Sequence, residues 1–375
     1  MSLLKSRFIE MFGNVATNNK RWEKTKLGNK SVIGSSKRIF ANEYTTEGIP
    51  FYRSKEIIEL GMGEKPSVEL YISKKRYQEI KEKFGIPIPG DILMTAVGTI
   101  GKFWIVPNSK PFYYKDGNLV YIRTKEFNPL FLKKLLEMLI EKYKVENANG
   151  SAYTALTIEK LKDLQIVLPP MTLQKQYEEF HIQIDKSKFL LQQILEKFEL
   201  LKKSRFIEMF GDVINNKKTW PTKRWSDVLN IVNGKNQKKV ECENGIYPIC
   251  GSGGKIGKTN EYLTKENSVI IGRKGNINNP ILMKTKFWNV DTAFGLEPNN
   301  KDINVEYLYK FCELFDFQRL NKTVTIPSLT KSDLLKIEIP VPPMKLQEEY
   351  RNFLAQVDKS KLIIQKALED LVGKV

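Results

Sequence analysis

The chain has 375 residues, 41% hydrophobic and 11% aromatic, enough for two or three folded domains and too apolar for a disordered polymer. It carries 61 Lys+Arg against 43 Asp+Glu, a formal net charge of +18, which points to a polyanionic partner. A single histidine, His181, and three unclustered cysteines, Cys242, Cys250 and Cys312, argue against histidine-based nucleophiles and zinc chemistry. Free thiols, no apolar run of spanning length and no signal-peptide pattern together predict a cytoplasmic protein.

In chain order, the first recognisable segment is SRFIEMFG at residues 6–13, and the same octapeptide recurs at 204–211. A second matched pair follows: residues 161–188 read LKDLQIVLPPMTLQKQYEEFHIQIDKSK, and 334–361 read LLKIEIPVPPMKLQEEYRNFLAQVDKSK. The offsets are 198 and 173 residues, so the chain is a duplicated unit whose inserts differ in length by 25 residues.

The first insert contains β-like runs, IPFYRSKEI, DILMTAV, FWIVP and NLVYIRT, then an expected helix over 129–144. The second repeats the plan in shorter form, with IYPIC, SVIIGRKG, ILMKT and NVDTAFGLEP before an expected helix over 305–320. Residues 14–157 hold 24 basic against 15 acidic side chains, and residues 214–330 hold 18 against 11. The repeated frame is almost neutral. The excess charge therefore sits in the two dissimilar inserts, as two separate contact surfaces for a polyanion require.

Pro169-Pro170 and Pro342-Pro343 stop any upstream helix and precede two long amphipathic segments. Steps of 4 and 3 link Leu173, Tyr177, Phe180, Ile184, Ser187, Leu191, Ile194, Phe198 and Leu201. The second copy gives Leu346, Tyr350, Phe353, Val357, Ser360, Ile364, Ala367 and Leu371, with serine at the same place. This is a heptad seam, and two such helices are expected to pair antiparallel about a pseudo-two-fold axis. The first, over 172–208, would be about 55 Å long. The octapeptide due after the second helix stands at the start of the chain, so the architecture is expected to be nearly circular.

Ser252 to Thr259 imitates a phosphate loop but has serine where the pattern needs glycine, and no helix signal follows. Asp91 with Asp116, and Glu266 with Asp291, lack ligand spacing and are read as structural. The Pro-Pro pairs lack the asparagine and aromatic flanks with which an amino-methyltransferase holds a flipped base, and no Gly-rich cofactor loop accompanies them. The chain reads as a binder. Gly-containing turns and basic loops supply the expected DNA contacts. In the first insert these are Arg53, Lys55, Lys74, Lys75, Arg76, Thr99 and Lys102. In the second they are Lys235, Asn236, Lys238, Ser252, Lys255, Lys258, Arg273 and Lys274.

The tandem units, the Pro-Pro-to-helix transitions, SRFIEMFG at each helix end, GDILMTAVGTIGK, and YPICGSGGKIGKTNEYL followed by SVIIGRKGNI resemble the specificity subunit of a type I restriction–modification enzyme over essentially the full length. The sequence departs at Asn278-Asn279, where Gly-Lys would be expected.

The resemblance implies an α+β fold: two α/β target-recognition domains joined by two long antiparallel coiled-coil helices. The expected segments are an N-terminal piece 1–13, recognition domain 14–170, helix 171–211, recognition domain 212–343 and helix 344–375. Each domain would read half of a bipartite, asymmetric site in double-stranded DNA. The implied partners are two modification subunits, which bind the methyl donor and methylate adenine, and restriction subunits, which use ATP and Mg to translocate and cleave. The chain itself would be a non-catalytic subunit with no cofactor. A stand-alone DNA-binding regulator of the same fold is the alternative, and exposed apolar surface on the helices would argue against it.

Overall fold

The computed structural model describes residues 3–107, 110–146, 156–322 and 326–372; the extremities of the expected first and last segments, residues 1–2 and 373–375, lie outside them. The chain forms two compact units, Met1–Leu190 with Ala367–Val375, and Leu191–Lys366. No helix among the described residues is long and apolar enough to cross a membrane.

Unit 1 begins with α1 (Leu3–Phe12), β1 (Lys24–Lys26), α2 (Leu27–Lys30), β2 (Val32–Gly34), β3 (Tyr44–Thr45) and β4 (Ile49–Tyr52). It continues with α3 (Ser54–Gly61), β5 (Tyr71–Ile72), α4 (Lys74–Lys83), β6 (Ile92–Thr95), β7 (Phe103–Ile105), β8 (Tyr113–Tyr114) and β9 (Leu119–Arg123). Then come α5 (Pro129–Glu146), α6 (Ile158–Asp163), β10 (Gln165–Val167) and the first half of α7 (Met171–Phe210). An antiparallel sheet runs β2-β9-β6-β7, a second sheet runs β3-β5-β4-β8 with β4 and β8 parallel, and β1 pairs with β10.

Unit 2 holds the second half of α7, then β11 (Thr222–Arg224), α8 (Trp225–Val228), β12 (Leu229–Asn233), β13 (Tyr247–Gly251) and β14 (Gly254–Thr259). These are followed by β15 (Ser268–Gly272), β16 (Ile281–Met283), β17 (Trp288–Asn289), β18 (Ala293–Pro298) and α9 (Val305–Leu314). It closes with α10 (Lys331–Leu334), β19 (Glu338–Pro340) and α11 (Met344–Val372), whose last residues belong to unit 1. Its sheets run β12-β18-β15-β16 and β14-β13-β17, with β11 paired to β19.

Both units are built to one plan, atom for atom in places. Phe8 and Phe12 of α1 meet Tyr177 edge-on, as Phe206 and Phe210 meet Tyr350. Gly13 and Gly211 end their helices at φ 77° and 82°, a conformation glycine adopts without Cβ strain. The indoles of Trp22 and Trp220 donate to the carbonyls of Phe12 and Phe210 at 2.9 and 3.0 Å.

After each Pro-Pro a buried glutamine clamps the new helix to the domain. Gln174 accepts the Asn128 N–H at 2.9 Å and donates to the Pro169 carbonyl at 2.8 Å; Gln347 does the same to Asn304 and Pro342, both at 2.9 Å. In unit 1 the start of α1 and the end of α11 meet: Leu4 and Leu371 line one cavity with Tyr177 and His181.

Four sequence expectations are corrected. Only Ile49–Tyr52 of IPFYRSKEI is strand. From Ser54 the chain is helical, because the Arg53 N–H donates to Glu56 at 2.8 Å and turns the backbone, and Ile57 is buried by that turn. α4 was not expected; Ser73 caps it by accepting the Arg76 N–H at 3.1 Å. The helix expected over 305–320 stops at Leu314, and a 3₁₀ turn follows at Phe317–Leu320. Asn278 fixes the break, accepting the Phe317 N–H at 2.8 Å and donating to Asp316 at 2.9 Å.

The fourth correction concerns the seam. Between Ile184 and Lys203 the sheltered positions of α7 are 188, 191, 195, 198 and 202, whereas Ser187, Ile194 and Leu201 are exposed. In α11 the sheltered position after Val357 is Lys361, and Ser360 is exposed. Each serine hydroxyl turns back onto the carbonyl four residues earlier, Gln183 or Gln356. Lysines take the seam places through their aliphatic stems. Within unit 2 Lys202 reaches Asp358 at 2.6 Å and Lys361 reaches Glu199 at 2.7 Å, so α7 and α11 run antiparallel there.

Candidate nucleic-acid interface

In unit 2 the residues expected to touch DNA gather around one corner, residues 290–292 between β17 and β18. The Lys235 N–H donates to the Asn289 carbonyl at 3.0 Å, and the Val290 N–H to the Cys250 carbonyl, two residues from Ser252, at 3.0 Å. Arg273 donates its backbone N–H to the Thr292 carbonyl at 2.8 Å, and its guanidinium reaches the Asp291 carbonyl at 3.4 Å over the ring of Phe294. Gly234 has no alternative: a Cβ there would lie 1.8 Å from the Val290 carbonyl oxygen.

Buried Asn289 pins the corner, accepting the Thr264 hydroxyl at 2.8 Å and donating to the Val232 carbonyl at 3.1 Å. Lys235, Ser252, Arg273 and Lys274 are thereby brought together. Asn236 accepts the Lys238 N–H at 2.9 Å beside them, and Lys255 and Lys258 are exposed along β14. Ser252 to Thr259 forms the turn and second strand of the β13–β14 hairpin, with no helix to hold a phosphate.

Unit 1 uses the same corner after β8, but it gathers only Thr99 and Lys102 of the expected residues. There the Ala96 N–H donates to the Asn118 carbonyl at 2.8 Å. Arg53 is held by Glu56 at 2.7 Å and Glu69 at 2.8 Å, and these hydrogen bonds push its guanidinium further from deprotonation. Lys55 shares Glu69 at 3.5 Å, and Arg76 is held by Glu43 at 2.7 Å and Glu79 at 3.2 Å. Arg53 and Arg76 thus stabilise α3 and α4. Lys74 and Lys75 are exposed in the first turn of α4, a helix and not a basic loop.

Asp91 is buried and accepts from Nε and Nη2 of Arg123, both at 2.7 Å, and Asp116 pairs with Arg38 at 2.7 Å, a structural use of both carboxylates. Among the described residues no cluster of His, Cys, Asp and Glu could hold a metal ion.

The family of type I restriction modification DNA specificity domains matches the chain twice, over residues 19–200 and 217–372. The chain belongs to this family. A Haemophilus influenzae protein described as a type I restriction enzyme specificity subunit is 32% identical over 180 residues, 48% of this chain and 40% of that protein. The chain thus matches less than half the length of that curated relative.

Two solved structures share the fold. One, described as underlying complex assembly and conformational transition of the type I R-M system, has a TM-score of 0.62 at 17% identity, covering 93% of this chain and 94% of its own. The HsdS subunit of Thermoanaerobacter tengcongensis has a TM-score of 0.52 at 18% identity, covering 92% and 91%.

Sequence reasoning missed Lys37 and Val97 at the unit 1 corner of this specificity-domain fold. The Lys37 N–H donates to the Tyr113 hydroxyl at 2.8 Å, and Ser36 donates to the Tyr114 carbonyl at 2.8 Å. The available signal was internal: aligning DILMTAVGTI with SVIIGRKGNI places residues 96–100 on 273–277. Counting charge alone hides it, because Val97 is apolar where Lys274 is basic.

Proposed function

We propose that this chain is the sequence-specific DNA-binding subunit of a type I restriction–modification complex, reading a bipartite, asymmetric site with its two inserts. The observation that carries this is the duplicated frame around unlike inserts, matched twice by the family. Identical clamps at Gln174 and Gln347 hold two dissimilar basic domains, as two independent readers need. We place the recognition domains at 14–170 and 212–343 and the helical spacers at 171–211 and 344–375. Residues 1–13 would complete the helical region.

The helices also favour an assembled state over a stand-alone regulator. In unit 1 they expose Ile182, Phe189 and Leu190; in unit 2 they expose Ile194, Leu200, Leu201, Leu362 and Ile363. Large apolar side chains kept in water at this density mark a surface that a partner covers. Two modification subunits would dock there, carrying the methyl donor and methylating adenine, with restriction subunits supplying ATP- and Mg-dependent translocation and cleavage. This chain would contribute no catalytic group and would work in the cytoplasm.

The test is to produce the chain with its modification partner and map methylated adenines genome-wide. The expected result is methylation confined to one bipartite sequence. Methylation without sequence restriction, or tight specific DNA binding by the chain with no complex formed, would refute the reading.

A further inference from the structure

Two loops stand at equivalent places in the two units and share a backbone while differing in side chains. Residues 96–101 follow β6 and residues 273–278 follow β15; each strand is central in its antiparallel sheet. Gly98 and Gly275 sit at φ 73° and 79°, and a Cβ at either would meet nothing within 4 Å, so backbone conformation alone selects glycine. The N–H groups of Ile100 and Ile277 close the same tight turn onto the carbonyls of Gly98 and Gly275, at 2.9 and 3.0 Å.

The N–H groups of Leu156 and Leu329 hold the loops from behind, donating to the carbonyls of Ala96 and Arg273, both at 2.9 Å. Ile100 and Ile277 are buried, while 97, 98 and 99, like 274, 275 and 276, face solvent. The supports differ in one detail. In unit 1 the Thr95 hydroxyl donates to the Thr99 carbonyl at 2.5 Å, whereas in unit 2 the Asn276 carbonyl packs where a Cβ on Gly272 would lie.

Every position that shapes these loops is thus kept between the copies or replaced by an equivalent support, and the exposed positions beside the glycine are not kept. Val97 and Thr99 present methyl groups; Lys274 and Asn276 present hydrogen-bond donors. Among the described residues no ion pair engages Lys274, and each loop is flanked by a cation, Lys102 in unit 1 and Arg273 in unit 2. Two readers of different half-sites need this division, a common frame for approach with side chains that differ at the bases.

We propose that these two loops are the base-reading elements of their units, with Val97 and Thr99 determining specificity in the first and Lys274 and Asn276 in the second. This rests on the DNA-reading function proposed above. Lys102 and Arg273 are positioning residues that meet phosphate. In the major groove, methyl-bearing side chains match the thymine methyl edge, and lysine and asparagine match purine acceptors and donors. The first half-site should therefore be read at a T·A pair, and the second at a guanine by Lys274 and an adenine by Asn276.

The experiment uses the full chain in complex with its modification partner, with methylated adenines mapped for wild type and variants. If wild type marks no bipartite site, the functional reading fails and the loops are not at issue. With wild type active, the paired change Val97→Lys and Thr99→Asn should alter the first half-site at one or two positions and leave the second half intact. An unchanged sequence at full activity would overturn the assignment.

Should that variant lose all methylation, Lys274→Ala and Asn276→Ala decide, since both only trim exposed side chains. Each should lower discrimination at one position of the second half-site about ten- to hundred-fold, the range for losing a bidentate base contact. Undiminished discrimination in both would equally overturn it. Lys255→Ala, on the neighbouring hairpin, should weaken binding to all sequences alike and reduce the salt slope.

Discussion

Gln174 and Gln347 show how much a single amide can hold. Each is buried and satisfies an N–H and a carbonyl that would otherwise be orphaned beside the Pro-Pro pair; Gln347 also donates to the Asp302 carbonyl at 2.8 Å. Gln174→Ala or Gln347→Ala should cost about 1–3 kcal/mol, the penalty for buried groups left unpaired, read as a lowered urea midpoint.

The two seam tyrosines make a sharper pair. Tyr350 donates to the Lys202 carbonyl at 3.1 Å, while the buried Tyr177 hydroxyl has no partner among the described residues. Tyr350→Phe should destabilise by about 0.5–1.5 kcal/mol and Tyr177→Phe by nothing measurable or the reverse sign. Equal losses in both would show that the copies are not distinguished in this way.

His181 stands where the second copy has Leu354. Burial pulls its imidazole below the usual range, only partly opposed by Asp185 at 3.1 Å, with Lys133 and Lys188 adding to the depression. The unfolded chain takes up this proton near pH 6.5 and the folded chain resists it. The contribution to stability is therefore complete above about pH 6.5 and is lost as pH falls toward the lowered folded value. His181→Leu should flatten the dependence of the urea midpoint on pH between 7 and 5.

At the scale of elements, the long helices show why a heptad count alone misplaces a seam. An unsupercoiled helix drifts about 20° per heptad against a strict 3.5-residue repeat, so over the two heptads from Leu173 to Ser187 the stripe turns by about 40°, toward the neighbouring Lys188. Ser187→Leu distinguishes the two registers. If Ser187 lay in the seam, filling that place with leucine would raise stability; with Ser187 exposed, the change should stay within about 0.5 kcal/mol of wild type by denaturant titration.

For the whole molecule, modularity and spacing are the testable properties. Replacing residues 213–327 with the matching domain of a related subunit should change one half of the methylated sequence and preserve the other; a change in both halves would contradict independent reading. Gln192 and Gln365 are exposed and lie at equivalent positions in α7 and α11, so a heptad can be inserted at both with the apolar stripe turned by only about 20°. Seven residues add roughly 10 Å of helix, or about three base pairs at 3.4 Å each. The half-sites should stay the same while the spacer between them lengthens; an unchanged spacer at full activity would show that something else sets it.

The sequence by itself determined the duplication, the helix starts and the unlike basic inserts, because repeats, proline pairs and charge are properties of the chain that need no partner. SRFIEMFG and the Pro-Pro blocks were enough to place α1, α7 and α11, and the β-like runs located β4, β6, β7, β9, β13, β15, β16 and β18. Tertiary structure decided the rest where contacts distant in sequence override local pattern. Asn278 ends α9 from 36 residues upstream of its last residue, Leu314, and Glu69 and Glu43 draw Arg53 and Arg76 into supporting α3 and α4. Val97 aligns with Lys274 in the sequence, but only the fold shows that the two loops share one backbone and that both residues face solvent. A side chain's charge can be read from sequence, but whether an acid already holds it depends on which strands and helices pack together.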